Sequence, residues 1–512
     1  MTFAPVSGFA ILRMGATCPM LMIAIAGFLL AGCAVGPDFH RPPAPVIDGY
    51  TQDPLLAQAV AAGDRNPESQ YLKPGLDIPA QWWTLFHSQA LNSLIEQALR
   101  NNPDLKAAQA ALRVAQENVR AQQGAYYPDI SAGFSSDRQK TPTASLTTNA
   151  ASGASIYSLH TPQVSVAYAP DIFGATRRAV ESLQAQADYQ RFELEAAYLT
   201  LTSNIVVSAI QEASLGMQIS LTQDMIRLQT EQLDLIRRQY ELGAIAESGV
   251  VAQEAALAQT QSLLPALEKA LAQQRDLLAA LVGRFSGEGV AEKFELSSLQ
   301  LPQELPVSLP ARLIEERPDI LAAESQLHAA SAQIGIAAAN RLPDITLSAD
   351  YGSTATAISR LFSSGTGFWS AAIGLTQPVF QGGTLLHRQR ATEAAYEQAA
   401  AQYRSTVIAA FQNVADTLHA IQYDAAALQA ATASERASAR NLDIARGQME
   451  AGAISYLSLL NAQQAYQQAQ ISLAQTRATR YADTAALFQA LGGGWWNRGS
   501  DNPSESDRNT AN

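Results

Sequence analysis

The 512-residue chain has only 2 cysteines. Cys18 falls in a stretch with the marks of a removable leader, so Cys33 would be the one thiol left, too few for a disulfide, a thiolate metal site or a Cys–His nucleophile. Charge is sparse at 16%, and acid outnumbers base 46 to 34 for a net charge of -12. Nucleic-acid binding is disfavoured, because a phosphate backbone needs a basic footprint. No apolar run reaches the roughly twenty residues of a spanning helix; the run from Met20 to Leu30 is about half that. The six histidines, His40, His87, His160, His328, His387 and His419, are scattered without metal-ligand spacing. His328 and His419 sit in helical patterns and are expected to be packed or solvated. There is no phosphate-binding loop and no Gly-x-Ser-x-Gly elbow, and Gly287-Glu288-Gly289 lacks the third glycine of a dinucleotide site. The expectation is a protein that is not an enzyme, with no cofactor and no metal.

Glycine and proline are also missing from the whole stretch Thr384 to Arg446. As a helix it would reach about 95 Å at 1.5 Å per residue, far longer than the usual three turns. Its apolar positions Val407, Phe411, Val414, Leu418, Ile421, Ala425 and Leu428 alternate steps of four and three, a seam made for packing against neighbouring helices. The rod ends between Gly447 and Gly452, and a return helix is predicted from Tyr456 to Leu491. A second rod is predicted from Ala175 to Leu242, turning at Gly243-Ala244-Ile245 and returning to Gly283 with a kink at Pro265.

At the N-terminus Arg13, the short apolar run and Leu30-Ala31-Gly32-Cys33 form an export signal of the lipoprotein type, with Cys33 as the lipidated residue. Ala34 and Val35 bring no acidic residue after it, which in bacterial lipoproteins favours the outer membrane. A Pro-rich tether follows, then Trp82, Trp83 and Phe86 as packing anchors, and little structure is expected between Asp48 and Asp77. A helix over Leu91–Arg100 breaks at Asn101-Asn102-Pro103, where Asn102 caps the next helix and Pro103 opens it.

Period-two alternation marks four strands: Ile130, Ala132 and Phe134; Val164, Val166 and Tyr168; Ile345, Leu347, Ala349 and Tyr351; and Trp369, Ala371, Ile373 and Leu375. The order then proves duplicated. Pro103-Asp104-Leu105 returns as Pro318-Asp319-Ile320, Pro128-Asp129-Ile130 as Pro343-Asp344-Ile345, and Gly243-Ala244-Ile245 as Gly452-Ala453-Ile454. The predicted division is a signal peptide at 1–32, an anchor, tether and first helix at 33–100, repeat 1 at 101–283, a Pro-punctuated linker on the outside at 284–311, repeat 2 at 312–496 and a disordered tail at 497–512. Four amphipathic strands of membrane length cannot close alone, since unpaired backbone groups in lipid cost several kcal/mol each. Other copies of the chain must then complete a barrel; the alternative is a soluble antiparallel sheet with coiled-coil arms.

Several stretches in order carry a family resemblance. They are Cys33-Ala34-Val35-Gly36-Pro37-Asp38-Phe39 with Arg41-Pro42, Trp82-Trp83 with Phe86, and Leu309-Pro310 with Arg317-Pro318-Asp319-Ile320 and Ala323-Glu324. Gln377-Pro378-Val379-Phe380 with Gly382-Gly383 and the closing Ala490-Leu491-Gly492-Gly493-Gly494-Trp495 complete the set. The chain resembles the outer membrane factor family of TolC-like efflux proteins, in its lipidated branch partnered with resistance-nodulation-division pumps. That resemblance implies a membrane α+β fold: a homotrimer whose subunits each give four strands to a twelve-stranded outer-membrane β-barrel, continued by a periplasmic α-helical barrel with an equatorial belt. It implies a passive exit duct for drugs or other small molecules, working with a periplasmic adaptor protein, an inner-membrane transporter and outer-membrane lipid. The tips Gly243, Ala244, Ile245 and Gly452, Ala453, Ile454 would dock the adaptor, and Leu457, Asn461 and Gln464 would form the periplasmic gate. Family members carry Asp and Arg at the last two positions, so this gate has lost both charges. Arg317 and Asp319 are expected to be structural. The competing readings are the outer-membrane channel of a type I protein-secretion system and a periplasmic adaptor or coiled-coil lipoprotein; duplication and four strands argue against the latter.

Overall fold

The computed structural model describes residues 34–47, 49–51, 69–140 and 156–498. The expected leader, Cys33 and the tail beyond Arg498 lie outside these. In chain order the elements are β1 (Tyr71–Pro74), α1 (Gln89–Asn101), α2 (Pro103–Gln123), β2 (Asp129–Lys140), β3 (Ile156–Tyr168), α3 (Ala175–Glu241) and α4 (Glu247–Leu281). Then come β4 (Glu304–Val307), α5 (Pro310–Glu316), α6 (Pro318–Ala339), β5 (Asp344–Ser353), β6 (Gly367–Thr376), α7 (Thr384–Glu450) and α8 (Tyr456–Ala490). Both rods, α3 and α7, are 67 residues long, and both return helices are 35. Helix α7 runs through Gly447 before stopping, and α4 continues through Pro265. Among the described residues no helix is long and apolar enough to cross a membrane.

The chain packs as two compact units. The first gathers the described residues of Met1–His40, Val114–Ala187 and Ser325–Ala400. Its centre is an antiparallel sheet in the order β2-β3-β5-β6, in which β3 of the first repeat pairs with β5 of the second. Register sorts the side chains. Ile130 stands opposite Val166, which stands opposite Ala349, and Leu347 stands opposite Ile373, so one face is apolar from its helix-joined end up to Phe134. The other carries Asp129, Ser131, Ser165, Ser348, Asp350 and Ser370. The apolar face is not covered by the described residues: Ile130, Tyr351, Trp369 and Ile373 are all exposed.

The segment after Cys33 is bound to the same unit. Val35 N–H donates to the Phe173 carbonyl at 3.0 Å, and Arg178 pairs with Asp38 at 2.6 Å and Glu181 at 2.7 Å. Gly36 and Gly335 touch backbone to backbone, so a Cβ on Gly36 would fall 2.4 Å from the Gly335 Cα. Phe39 stacks on His328 at 4.3 Å between ring centroids, and His328 Nε2 lies 2.9 Å from Glu181 Oε1. The tether is therefore a docked strap here. His328, which carries no signal beyond its helical spacing in the sequence, is one of its anchors.

The second unit holds the described residues of Arg41–Arg113, Asp188–Glu324 and Ala401–Asn512. Trp82, Trp83 and Phe86 are buried in its core with Leu91, Leu94 and Ile95, and Trp82 stacks on Phe488 with centroids 5.3 Å apart. The α7 seam is buried at Val407, Val414, Leu418, Ile421, Ala425 and Leu428, as its spacing requires, while Phe411 is only partly covered. Asn102 Oδ1 accepts from Leu105 N–H at 3.0 Å, so this residue caps α2 as predicted.

Two expectations need correction. The region before Asp77 contains β1, which pairs in parallel with β4 of the linker, Leu72 opposite Leu305. Four-residue strands with Pro74 and Pro306 in them are too short for a period to register, and the partner lies more than two hundred positions away. The linker is also not merely external: Phe294, Leu299, Leu301 and Leu305 are buried in the main core.

Candidate gate and docking tips

Each rod ends in the same way because each is followed by Gly-Ala-Ile. Gly243 and Gly452 adopt positive φ (72° and 70°), the left-handed conformation that a Cβ disfavours. At the first turn Gly243 N–H reaches the Tyr240 carbonyl and Ala244 N–H the Gln239 carbonyl, both at 2.8 Å. At the second, Gly452 N–H reaches Met449 and Ala453 N–H reaches Gln448. This doubled bond is the Schellman cap, which satisfies carbonyls that a helix end leaves bare. Ile245 and Ile454 then fold inward. Ile245 packs with Leu233, Ile236 and Val250, and Ile454 with Leu442, Ala445 and Leu459. Gly243, Ala244, Gly452 and Ala453 remain exposed.

The return helices differ at their first turn. Ser455 caps α8, its Oγ accepting from Ser458 N–H at 3.4 Å, whereas Ala246 offers α4 no side-chain cap. Next comes Tyr456, where the first repeat has Glu247. Tyr456 packs with both tip clusters, and its hydroxyl donates to Gln253 Oε1 on α4 and lies 3.3 Å from Gln232 Oε1 on α3. Gln253 is fully buried and its Nε2 donates to the Gln229 carbonyl at 2.8 Å, which fixes which amide atom faces the tyrosine. Burial pushes the Tyr456 hydroxyl up to about 12, so it stays a donor at every physiological pH. The two hairpins are thus tied at their ends by one side chain.

Leu457, Asn461 and Gln464 are spaced by four and three, so they share one face of α8. All three are exposed in the protomer, Leu457 by 57%. On the opposite side Leu459, Leu460, Ala462 and Gln463 are buried. The packing beneath is unusually polar. Gln229, Gln463 and Gln467 are buried, and both amide atoms of Gln229, Gln463 Oε1 and Gln467 Nε2 find no hydrogen-bond partner among the described residues. Such orphaned atoms cost about 1–3 kcal/mol each, which weakens the packing beneath the tip.

Tyr456 and Gln253 escaped the sequence reading, though a signal existed. Aligned through the duplication, Tyr456 replaces Glu247 and Gln253 stands where the second repeat has Ala462, so the bond joins two positions at which the repeats disagree. Arg317 and Asp319 do form a structural pair: the guanidinium meets both carboxylate oxygens at 3.0 and 2.7 Å and donates to the Ala490 carbonyl at 2.9 Å.

The family profile described as outer membrane efflux protein matches the chain twice, over residues 94–284 and 309–493. The probable efflux pump outer membrane protein TtgC of Pseudomonas putida is 30% identical over 480 residues, covering 93% of this chain and 96% of that protein. Outer membrane protein OprJ of Pseudomonas aeruginosa is 29% identical over 482 residues, covering 93% and 95%. Among solved structures, the outer-membrane channel OprN superimposes with a TM-score of 0.80 at 25% identity, over 90% of this chain and 100% of that one. A duplicated chain with amphipathic strands and paired long hairpins defines the class, an outer-membrane channel of transport type. The chain belongs to the outer membrane efflux protein family.

Proposed function

We propose that the chain is the passive exit duct of a tripartite efflux pump of the resistance-nodulation-division type, releasing drugs or other small molecules across the outer membrane. The observation that carries this is the sheet β2-β3-β5-β6, with one uncovered apolar face and with β2 and β6 free of any further strand among the described residues. An apolar face suits lipid, and two open edges suit siblings on either side, so three copies would close a twelve-stranded barrel. The helical hairpins form the periplasmic conduit. Cys33 carries the lipid, and the docked strap from Val35 to Phe39 ties it to the strands' own unit. The exposed turns at Gly243 and Gly452 present themselves to an adaptor, and Leu457, Asn461 and Gln464 line the closure.

Closure without charges rests on Leu457 and on the Tyr456–Gln253 tie, with the polar layer around Gln229 and Gln463 as the yielding part. Planar-bilayer recording tests the reading. The purified full chain should insert and conduct, and protein that inserts without conducting in any state overturns it.

A further inference from the structure

Charge on the strands is sorted by face. The polar face holds Asp129, Asp137, Asp344 and Asp350 and neither Lys nor Arg. The apolar face holds no acid from Ile130 onward, and past Phe134 and Ser136 it ends in Arg138 and Lys140. These two stand opposite Ser158 and Ile156 at the hairpin end of the sheet, away from the ends that join helices. Both are exposed, and neither enters an ion pair among the described residues. The nearest acid in sequence, Asp137, lies on the opposite face, and from Arg138 to Gln163 and from Tyr351 to Gly367 there is no Asp or Glu, whereas Arg360 adds a further base. A chain of net charge -12 thus ends its strands in uncompensated positive charge on the outward side.

We infer that Arg138 and Lys140 form a docking site for the phosphate groups of lipids in the leaflet that surrounds the hairpin ends. On the outer-membrane reading above, on which this rests, that is the phosphorylated glycolipid of the outer leaflet. Depth supports it. From Phe134 to Lys140 the strand rises about 20 Å, or roughly 14 Å of membrane height at a tilt near 45°, enough to carry the bases beyond the edge of the hydrocarbon into the headgroups. Phe134, Tyr351 and Trp369 occupy the same face as an aromatic girdle, which marks where hydrocarbon gives way to headgroups. His160, 2.9 Å from Ser136 Oγ and stacked over Phe134, fills the step between girdle and bases. Cations are costly on a lipid face at mid-depth and tolerated at its rim, where anionic phosphates attract them.

The test uses the purified full chain in phosphatidylcholine vesicles containing either bis-phosphorylated lipid A or the same lipid with its phosphates removed. Conductance is recorded, and lipid retained after detergent extraction is read by native mass spectrometry. The wild type should retain the phosphorylated lipid roughly ten- to thirtyfold better than the double variant R138Q/K140Q. The dephosphorylated lipid should be held by neither, and R138K should match the wild type. Equal retention of the two lipids by the wild type overturns the inference, and that comparison stands even where the double variant fails to assemble. Equal retention by wild type and an assembled double variant also overturns it, as does displacement of lipid by inorganic phosphate. Conducting protein that retains both lipids equally removes this site alone, whereas inserted protein that never conducts removes the channel reading and the inference together.

Discussion

Tyr456 offers the sharpest residue-scale test, because a single oxygen joins two hairpins. Tyr456→Phe keeps the ring in both clusters and deletes the bond to Gln253. The tip should loosen by about 1 kcal/mol, and resting conductance or antibiotic leak should rise several-fold. An unchanged resting conductance would make the tyrosine a packing residue only. Leu457→Ala should also raise conductance in an assembled oligomer, through loss of an apolar constriction instead of loss of a tie. Arg317 belongs to the fold. Arg317→Ala strands the Ala490 carbonyl and Asp319, and should cost about 2–4 kcal/mol by thermal unfolding, with Arg317→Lys recovering only part because it lacks the planar fork.

Between elements, the contact of α7 with α8 contains Asp424, whose carboxyl is pushed up to about 7 by burial and by the hydrogen bond and charge of Asp483. The folded chain therefore binds more protons here than the unfolded chain does between about pH 4 and 7. Stability from this pair is present at low pH and lost as pH rises through about 7. Melting temperature measured across pH 5 to 8 should fall in the wild type, and Asp424→Asn should flatten that slope; an unaltered slope would place the titration elsewhere. In the sheet, Asp350 sits between Ser165 Oγ at 2.6 Å and Ser370 Oγ at 2.9 Å on the all-acidic face. If that face lines the lumen, Asp350→Asn should lower the ratio of cation to anion permeability.

At the scale of elements the sequence was largely transparent, and physics explains where it was not. The second rod was legible because sixty residues without Gly or Pro leave helix little competition, the first because only Gly216 interrupts it, and the strands because alternation survives where apolar and polar faces are kept apart. Strands β1 and β4 were not, since four residues carry no period and their pairing is set by tertiary packing. Within the candidate site, the turns could be read from Gly-Ala-Ile alone, a local motif. The Tyr456–Gln253 tie left only the trace of two positions at which the repeats disagree, and which side chains meet there shows only once the fold brings the separate hairpins together. The same holds for His328 under Phe39.

For the whole molecule, the lipid proposed on Cys33 and the strap behind it should make separable contributions. Cys33→Ser should leave conductance intact in protein that has inserted while lowering the fraction recovered in outer membrane. Gly335→Val, which drives a side chain into the strap where a Cβ already falls 2.9 Å from the Val35 carbonyl, should release the strap with lipid still attached. Fractionation together with protease accessibility of the N-terminus separates the two, and identical behaviour of both variants would merge anchor and strap into one device.

The matched lengths of α3 with α7 and of α4 with α8 restrict how such a protein can change size in evolution. One residue added to a single helix turns everything beyond it by about 100° and carries Tyr456 out of reach of Gln253. Length must therefore vary in all four helices together, in steps near seven residues that restore the seam. Relatives reaching across a wider or narrower gap should differ by concerted insertions or deletions at equivalent points of both repeats, with lone ones confined to the turns and the strand loops.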